Sequence, residues 1–99
     1  MIKVGLAEEA RDDLSEGFRF YEDQERGSGG YFISCLRDDI QNLTVTGGIH
    51  RVDYADYHRV LSRVFPYAIY YTFEDETVTI WAVIDCRRSP EWIRKRLGS

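Results

Sequence analysis

Residues 58–97 read HRVLSRVFPYAIYYTFEDETVTIWAVIDCRRSPEWIRKRL. From His58 the residue pattern turns strand-like. The run Pro66 to Phe73, rich in β-branched and aromatic residues, meets an acidic break at Glu74-Asp75-Glu76 and resumes as Thr77 to Ile84. That succession predicts strands joined by minimal turns. Strict alternation sends Val78, Ile80, Ala82 and Ile84 to one face of the last strand and Trp81 and Val83 to the other. Apolar residues on both faces predict a strand covered on both sides, with Trp81 in the core. Pro66 stands at a strand start, where one lost backbone donor matters little. Ser89-Pro90-Glu91 has the form of a helix start, Ser89 capping and Pro90 in the first turn, and a short helix Trp92 to Leu97 ends in basic residues.

Toward the N-terminus, Ile2 to Leu6 is a short apolar run, an edge or central strand. From Ala7 onward Ala10, Leu14, Phe18 and Tyr21 or Phe20 recur at helical spacing, and acidic residues fill the other positions. Acidic groups in the first turn favour the positive end of the helix dipole. Gly27-Ser28-Gly29-Gly30 reads as a stop and turn. A second helix runs to about Leu43 on the stripe Phe32, Leu36, Ile40 and Leu43, with Ile33 and Cys35 alongside and Arg37, Asp38 and Asp39 facing away. Thr46-Gly47-Gly48 closes it, and His50 to Tyr57 reads as a loop. The order is β-α-α-β-β-β: an α+β fold with a small, mainly antiparallel sheet packed on a helical hairpin and a short C-terminal helix. Residues 1–99 form one domain.

Charge is segregated along the chain. Residues 1–57 hold 6 Lys and Arg against 12 Asp and Glu, whereas residues 58–99 hold 7 against 5. Acidic helices and a basic sheet suggest a cationic face offered to an anionic partner. No apolar run is long enough to span a bilayer and the N-terminus lacks the form of a signal peptide, so a cytoplasmic protein without membrane contact is expected. Cys35 and Cys86 are too few and too far apart for a disulfide scaffold or a zinc site, and read as small core hydrophobes. No acidic pair resembles a metal constellation, and no cofactor is expected. Arg59 and Arg63 alternate with Leu61 and so share a face. Arg87 and Arg88, where a strand ends, form a candidate anion-binding cluster. Trp92 is a candidate interface anchor. Tyr67, Tyr70 and Tyr71 read as packing residues. His50, in a glycine-led loop, reads as structural, although it or His58 could serve as a base near neutral pH.

Several of these pieces, in this order, resemble the RelE/ParE superfamily of bacterial toxins from type II toxin–antitoxin modules. They are Ala10-x-x-x-Leu14, Phe20-Tyr21-Glu22, Phe32-x-x-x-Leu36 with Asp39-Ile40-x-x-Leu43, and Gly48-Ile49-His50. To these are added Arg59-x-Leu61-x-Arg63-x-Phe65-Pro66-Tyr67-x-Ile69-Tyr70-Tyr71 and Val83-Ile84-Asp85-x-Arg87-Arg88-x-Pro90. The resemblance implies a toxin with roles such as plasmid stabilisation or stress response.

In the RelE branch it implies a ribosome-dependent endoribonuclease, in which an RNA 2′-hydroxyl attacks the adjacent phosphate. Arg59 and Arg87 would then be the catalytic residues. The middle strand, however, has Ala68 where that branch carries an arginine, and Trp92 or Ile93 occupies the region of its catalytic tyrosine. The ParE branch shares the fold and inhibits DNA gyrase without chemistry of its own, and an acidic chain lacking the full nuclease set resembles it better. The function expected is therefore a ParE-like inhibitor. The alternatives are a nuclease acting on ribosome-bound mRNA and a non-toxic interaction module. The resemblance also implies a cognate antitoxin that wraps the toxin as a helix, a strand or both, in a heterocomplex or alongside a toxin dimer. Arg59, Arg63, Arg87, Arg88 and Trp92 are the expected binding residues.

Overall fold

In the computed structural model, which describes residues 1–98, the chain runs β1 (Lys3–Leu6), α1 (Glu8–Gln24), α2 (Ser28–Thr46), β2 (Val52–Tyr54), β3 (Tyr57–Leu61), β4 (Tyr67–Glu74), β5 (Thr77–Asp85) and α3 (Pro90–Gly98). The strands form one sheet in the order β1-β5-β4-β3-β2. β1 is an edge strand parallel to β5, and every other pairing is antiparallel. Among the described residues no helix is long and apolar enough to cross a membrane.

The sheet separates two apolar layers. On one face the α1–α2 hairpin sets Ala10, Phe32, Leu36 and Leu43 against Tyr67, Ile69, Tyr71, Val78, Ile80 and Val83. On the other, α3 returns so that Leu97 and Ile93 cover Ala68, Tyr70, Ala82 and Ile84. The Tyr57 hydroxyl donates to the Leu97 carbonyl at 3.1 Å and ties the end of α3 to β3. The three tyrosines of β4 are buried, two toward the helical hairpin and one toward α3.

Several expectations are corrected. The loop expected over His50 to Tyr57 contains β2, a three-residue edge strand joined to β3 through Ala55, which adopts a left-handed φ of 50°. So short a strand leaves almost no periodic signal. The expected glycine turn is confined to Gly27, at φ 94°, and α2 begins at Ser28. Gly29 belongs inside the helix because a Cβ there would come within 2.7 Å of the Phe18 carbonyl and 2.9 Å of the Glu22 Cβ. Glu22 accepts the Gly27 and Gly29 amides at 3.1 and 3.0 Å, so α1 supplies the cap of α2.

On α1, Gly17 takes the buried place expected for Phe18, because a Cβ at Gly17 would lie 2.5 Å from the Phe32 ring. Phe18 and Phe20 are exposed.

A further correction concerns β5. Tyr70 pairs with Ala82 but Tyr71 pairs with Ile80, so Trp81 is the extra residue of a β-bulge. The bulge reverses the alternation: Val78 and Ile80 face the helical hairpin, whereas Ala82 and Ile84 face α3. Trp81 is not core. It is 37% exposed, with its indole N–H on the Thr72 hydroxyl at 2.9 Å.

Asp39 and the cysteines also differ from expectation. Asp39, placed on the outer face by the helix pattern, is 8% exposed and accepts from Ser62 Oγ at 2.7 Å and Arg63 Nε at 2.9 Å. Cys35 and Cys86 are free thiols, each half-buried rather than enclosed in the core.

Candidate functional site

His58 and Arg59 are neighbours on β3, so the strand's alternation sends them to opposite faces of the sheet. Arg59 pairs with Tyr70 across the α3 face, and its Nε donates to the Tyr70 hydroxyl at 3.2 Å. Burial works against the charge on Arg59. The Tyr70 hydrogen bond and nearby Asp53 outweigh it and hold its pKa above the ordinary value.

Around this pair lies an open cleft of about 420 Å³, lined by Asp53, Arg59, Tyr70, Cys86, Arg88 and Arg94 among others. Three arginines, from β3, the β5–α3 turn and α3, thus line one cleft on the α3 side of the sheet. Such a cluster suits phosphate or carboxylate.

The other expected residues are distributed unevenly. Arg88 lies over the Trp92 ring, 4.4 Å from its centroid, and this stacked pair also lines a second cleft toward α1. Arg87 is engaged locally: its Nε and Nη2 grip Asp85 at 2.9 and 2.6 Å, and its own amide donates to the same carboxylate. That grip pulls the Asp85 pKa down and pushes the Arg87 pKa up.

Arg63 is not part of the cluster. β3 ends at Leu61, the alternation lapses, and Arg63 reaches Asp39 on α2 instead. Arg94 and Cys86 are cleft residues that the sequence reading did not single out. Arg94 follows Ile93, which packs on the sheet, and that neighbouring pair is the only local signal for its place.

The second cleft, about 270 Å³, lies between α1 and the start of α3. Asp13, Glu16, Phe20, Asp85, Arg88 and Trp92 are among its walls. Asp13 accepts the Val83 amide at 2.9 Å and Arg96 Nη2 at 2.7 Å. Burial raises the Asp13 pKa despite both donors.

Both histidines belong to the opposite, helix-facing side. The Tyr71 hydroxyl accepts the Gly48 amide at 3.0 Å and stands 2.6 Å from His50 Nδ1. The roles in the Tyr71–His50 bond follow the imidazole tautomer: with Nδ1 unprotonated, the Tyr71 hydroxyl donates to it. His58 Nδ1 lies 2.7 Å from the His50 carbonyl, and its ring stacks on Tyr71 at 4.9 Å. Burial, then the proximity of His58, lowers the His50 pKa. His50 does hold its loop, through Tyr71 as well as through its own carbonyl. Among the described residues no three His, Cys, Asp or Glu side chains converge as metal ligands.

No family model matches the chain, and no curated protein matches it in sequence. Solved structures share its fold, two of them from toxin systems. The chromosomal ParDE TA system from P. aeruginosa superposes with a TM-score of 0.78 at 9% identity, covering 86% of this chain and 96% of that one. The isolated E. coli RelE toxin superposes with a TM-score of 0.60 at 14% identity, covering 99% and 98%. The α+β architecture described above is the RelE/ParE toxin fold.

Proposed function

We propose that this chain is the toxin of a toxin–antitoxin pair, and that it acts by binding its target, DNA gyrase on the ParE-like reading, rather than by cleaving RNA. The observation that carries the second half is the separation of charge from proton-transfer groups. Cleavage through a 2′-hydroxyl needs a base, an acid and cations around one phosphate. The cleft collects cations, Arg59, Arg88 and Arg94. The two histidines, the side chains whose ordinary pKa lies nearest neutrality, are bound up around Tyr71 on the far side of the sheet.

Two further positions agree with this. Ala68 is buried in the middle strand where ribonuclease members carry an arginine, and Trp92 lies beneath Arg88 in the region of their tyrosine. The likeness to the ParDE and RelE structures supports the toxin half.

On this reading Arg59, Arg88, Arg94 and Trp92 form the binding face, with Arg87 at its margin, and Arg63 braces α2. The cognate antitoxin covers the cleft with an acidic segment that orders on binding. The protein works in the cytoplasm.

Tightly induced expression in a bacterium tests the proposal, scoring growth, transcript ends and plasmid supercoiling together. Growth arrest with altered supercoiling and intact messages, relieved in an Arg59→Ala/Arg88→Ala double variant of unchanged stability, is the expected result. Arrest with new cleavages in translated messages overturns the binding mechanism. No arrest overturns the toxin assignment.

A further inference from the structure

β1 covers only half of its neighbour. It runs parallel to β5, with the Lys3 amide donating to the Glu76 carbonyl at 3.0 Å and the Ala7 amide to the Ile80 carbonyl at 2.9 Å. At Glu8 the chain leaves the sheet to begin α1. β5 continues to Asp85 with its outer edge there unpaired by any strand among the described residues.

The direction of each backbone group on that edge follows from the ladder. The Cys86 amide donates to the Pro66 carbonyl of the chain entering β4, so amides of even-numbered residues beyond the bulge face β4. Val83 and Asp85 therefore face outward. Two of their four groups are occupied within the chain: the Val83 amide by Asp13 at 2.9 Å, and the Asp85 carbonyl by the Arg88 amide at 3.1 Å. Among the described residues the Val83 carbonyl and the Asp85 amide remain.

An acceptor and a donor flanking Ile84 are the two groups that one residue of a parallel strand would engage, its N–H on Val83 and its C=O on Asp85. That residue would extend the line of β1.

The second cleft surrounds this edge. Phe20 and Trp92 are both exposed apolar walls, from α1 and α3 respectively. A residue paired with Ile84 shares its face and points toward α3 and Trp92. Its neighbours point toward α1 and Glu16. Asp13 and Asp85 are each paired with an arginine, whereas Glu16 makes no ion pair among the described residues.

We propose that the β5 edge from Val83 to Asp85 is a docking slot for an extended segment of a partner protein, which adds parallel to β5 with an apolar residue against Trp92 and a basic residue beside Glu16. Main-chain hydrogen bonds hold the segment, and the two side-chain environments select it. The slot is separate from the arginine cleft, shares only Arg88 with it, and does not depend on the chain being a toxin.

The probes are two synthetic peptides with blocked ends, Ser-Lys-Leu-Lys-Ser and Ser-Glu-Leu-Glu-Ser, titrated into isotope-labelled full-length protein and followed amide by amide by NMR. The Asp85 amide should exchange readily in the free protein. The lysine peptide should shift the amides around Val83 to Asp85 and slow Asp85 exchange, and the glutamate peptide should bind more weakly. Glu16→Lys, at an exposed position, should weaken the lysine peptide by about threefold to tenfold while leaving the melting temperature unchanged. An Asp85 amide already protected in the free protein, peptide shifts centred elsewhere, or no shifts at all would overturn the proposal. Equal binding of the two peptides would overturn the assignment of a basic residue to the Glu16 side.

Discussion

Replacing Tyr71 by phenylalanine removes one oxygen from a completely buried ring and leaves the ring's packing in place. That oxygen takes part in two side-chain-linked hydrogen bonds, one from the Gly48 amide at 3.0 Å and one shared with His50 Nδ1 at 2.6 Å. At about 1 kcal/mol net for each bond, the expected loss near neutral pH is about 2 kcal/mol. For a domain of this size that corresponds to a fall in Tm of roughly 10 °C.

The loss should depend on pH, and the direction follows from the proton count. His50 has a folded pKa below its ordinary value, so the unfolded chain takes up its proton first as pH falls. Wild-type stability therefore declines as pH drops through the ordinary histidine range and levels off below the depressed folded value. Where Tyr71 donates to a neutral Nδ1, protonation of that nitrogen ends the donation, and on that direction the wild type has by then lost one of the bonds that the variant lacks. The difference between the two proteins should shrink to about 1 kcal/mol in acid.

Denaturant unfolding of both proteins, followed by tryptophan fluorescence at about pH 7.5 and about pH 5, measures this directly. A neutral-pH penalty below about 0.5 kcal/mol would refute the hydrogen-bond reasoning. A penalty of the same size at both pH values would refute the assigned direction of the Tyr71 proton.

Three further substitutions probe the joints between elements. Glu22→Ala removes the acceptor for the Gly27 and Gly29 amides and should cost about 1 kcal/mol, read by denaturant unfolding, with the loss of helicity confined to the first turn of α2. Gly17→Val places a side chain where even a Cβ would lie 2.5 Å from the Phe32 ring, and should lower stability by about 1–3 kcal/mol, visible as a lower Tm. Asp75 and Glu76 both hold left-handed φ values, 51° and 57°, in the two-residue turn between β4 and β5. Glu76→Gly should therefore raise stability by about 0.5 kcal/mol, and a lower denaturation midpoint would contradict the strain assigned to that turn.

What could be read directly from the chain was local. The hairpin of β4 and β5 announces itself through runs of β-branched and aromatic residues separated by an acidic turn. α3 announces itself through Ser89, whose hydroxyl accepts the Trp92 amide at 3.1 Å. Arg59 and Arg88 were legible as candidates, and both line the cleft, because each lies at a strand or at its end. Arg63 was misplaced by extending the alternation of β3 two residues past its last paired position, Leu61.

The tertiary structure decided whatever depends on a residue from another element. Trp81 leaves the core because the β4–β5 register slips by one residue, and a one-residue slip turns every later side chain to the other face. Asp39 is buried because Ser62 and Arg63, distant in sequence, supply its donors. Gly17 is buried because the Phe32 ring needs its missing Cβ. The arginine cleft exists only because α3 folds back over the sheet and carries Arg94 to Arg59. Periodicity and capping are properties of neighbouring residues, and the order of helices and of every strand but the three-residue β2 follows from them. Which charges meet, which histidines are kept from them, and which strand edge stays open are set by contacts between distant segments, and so required the folded chain.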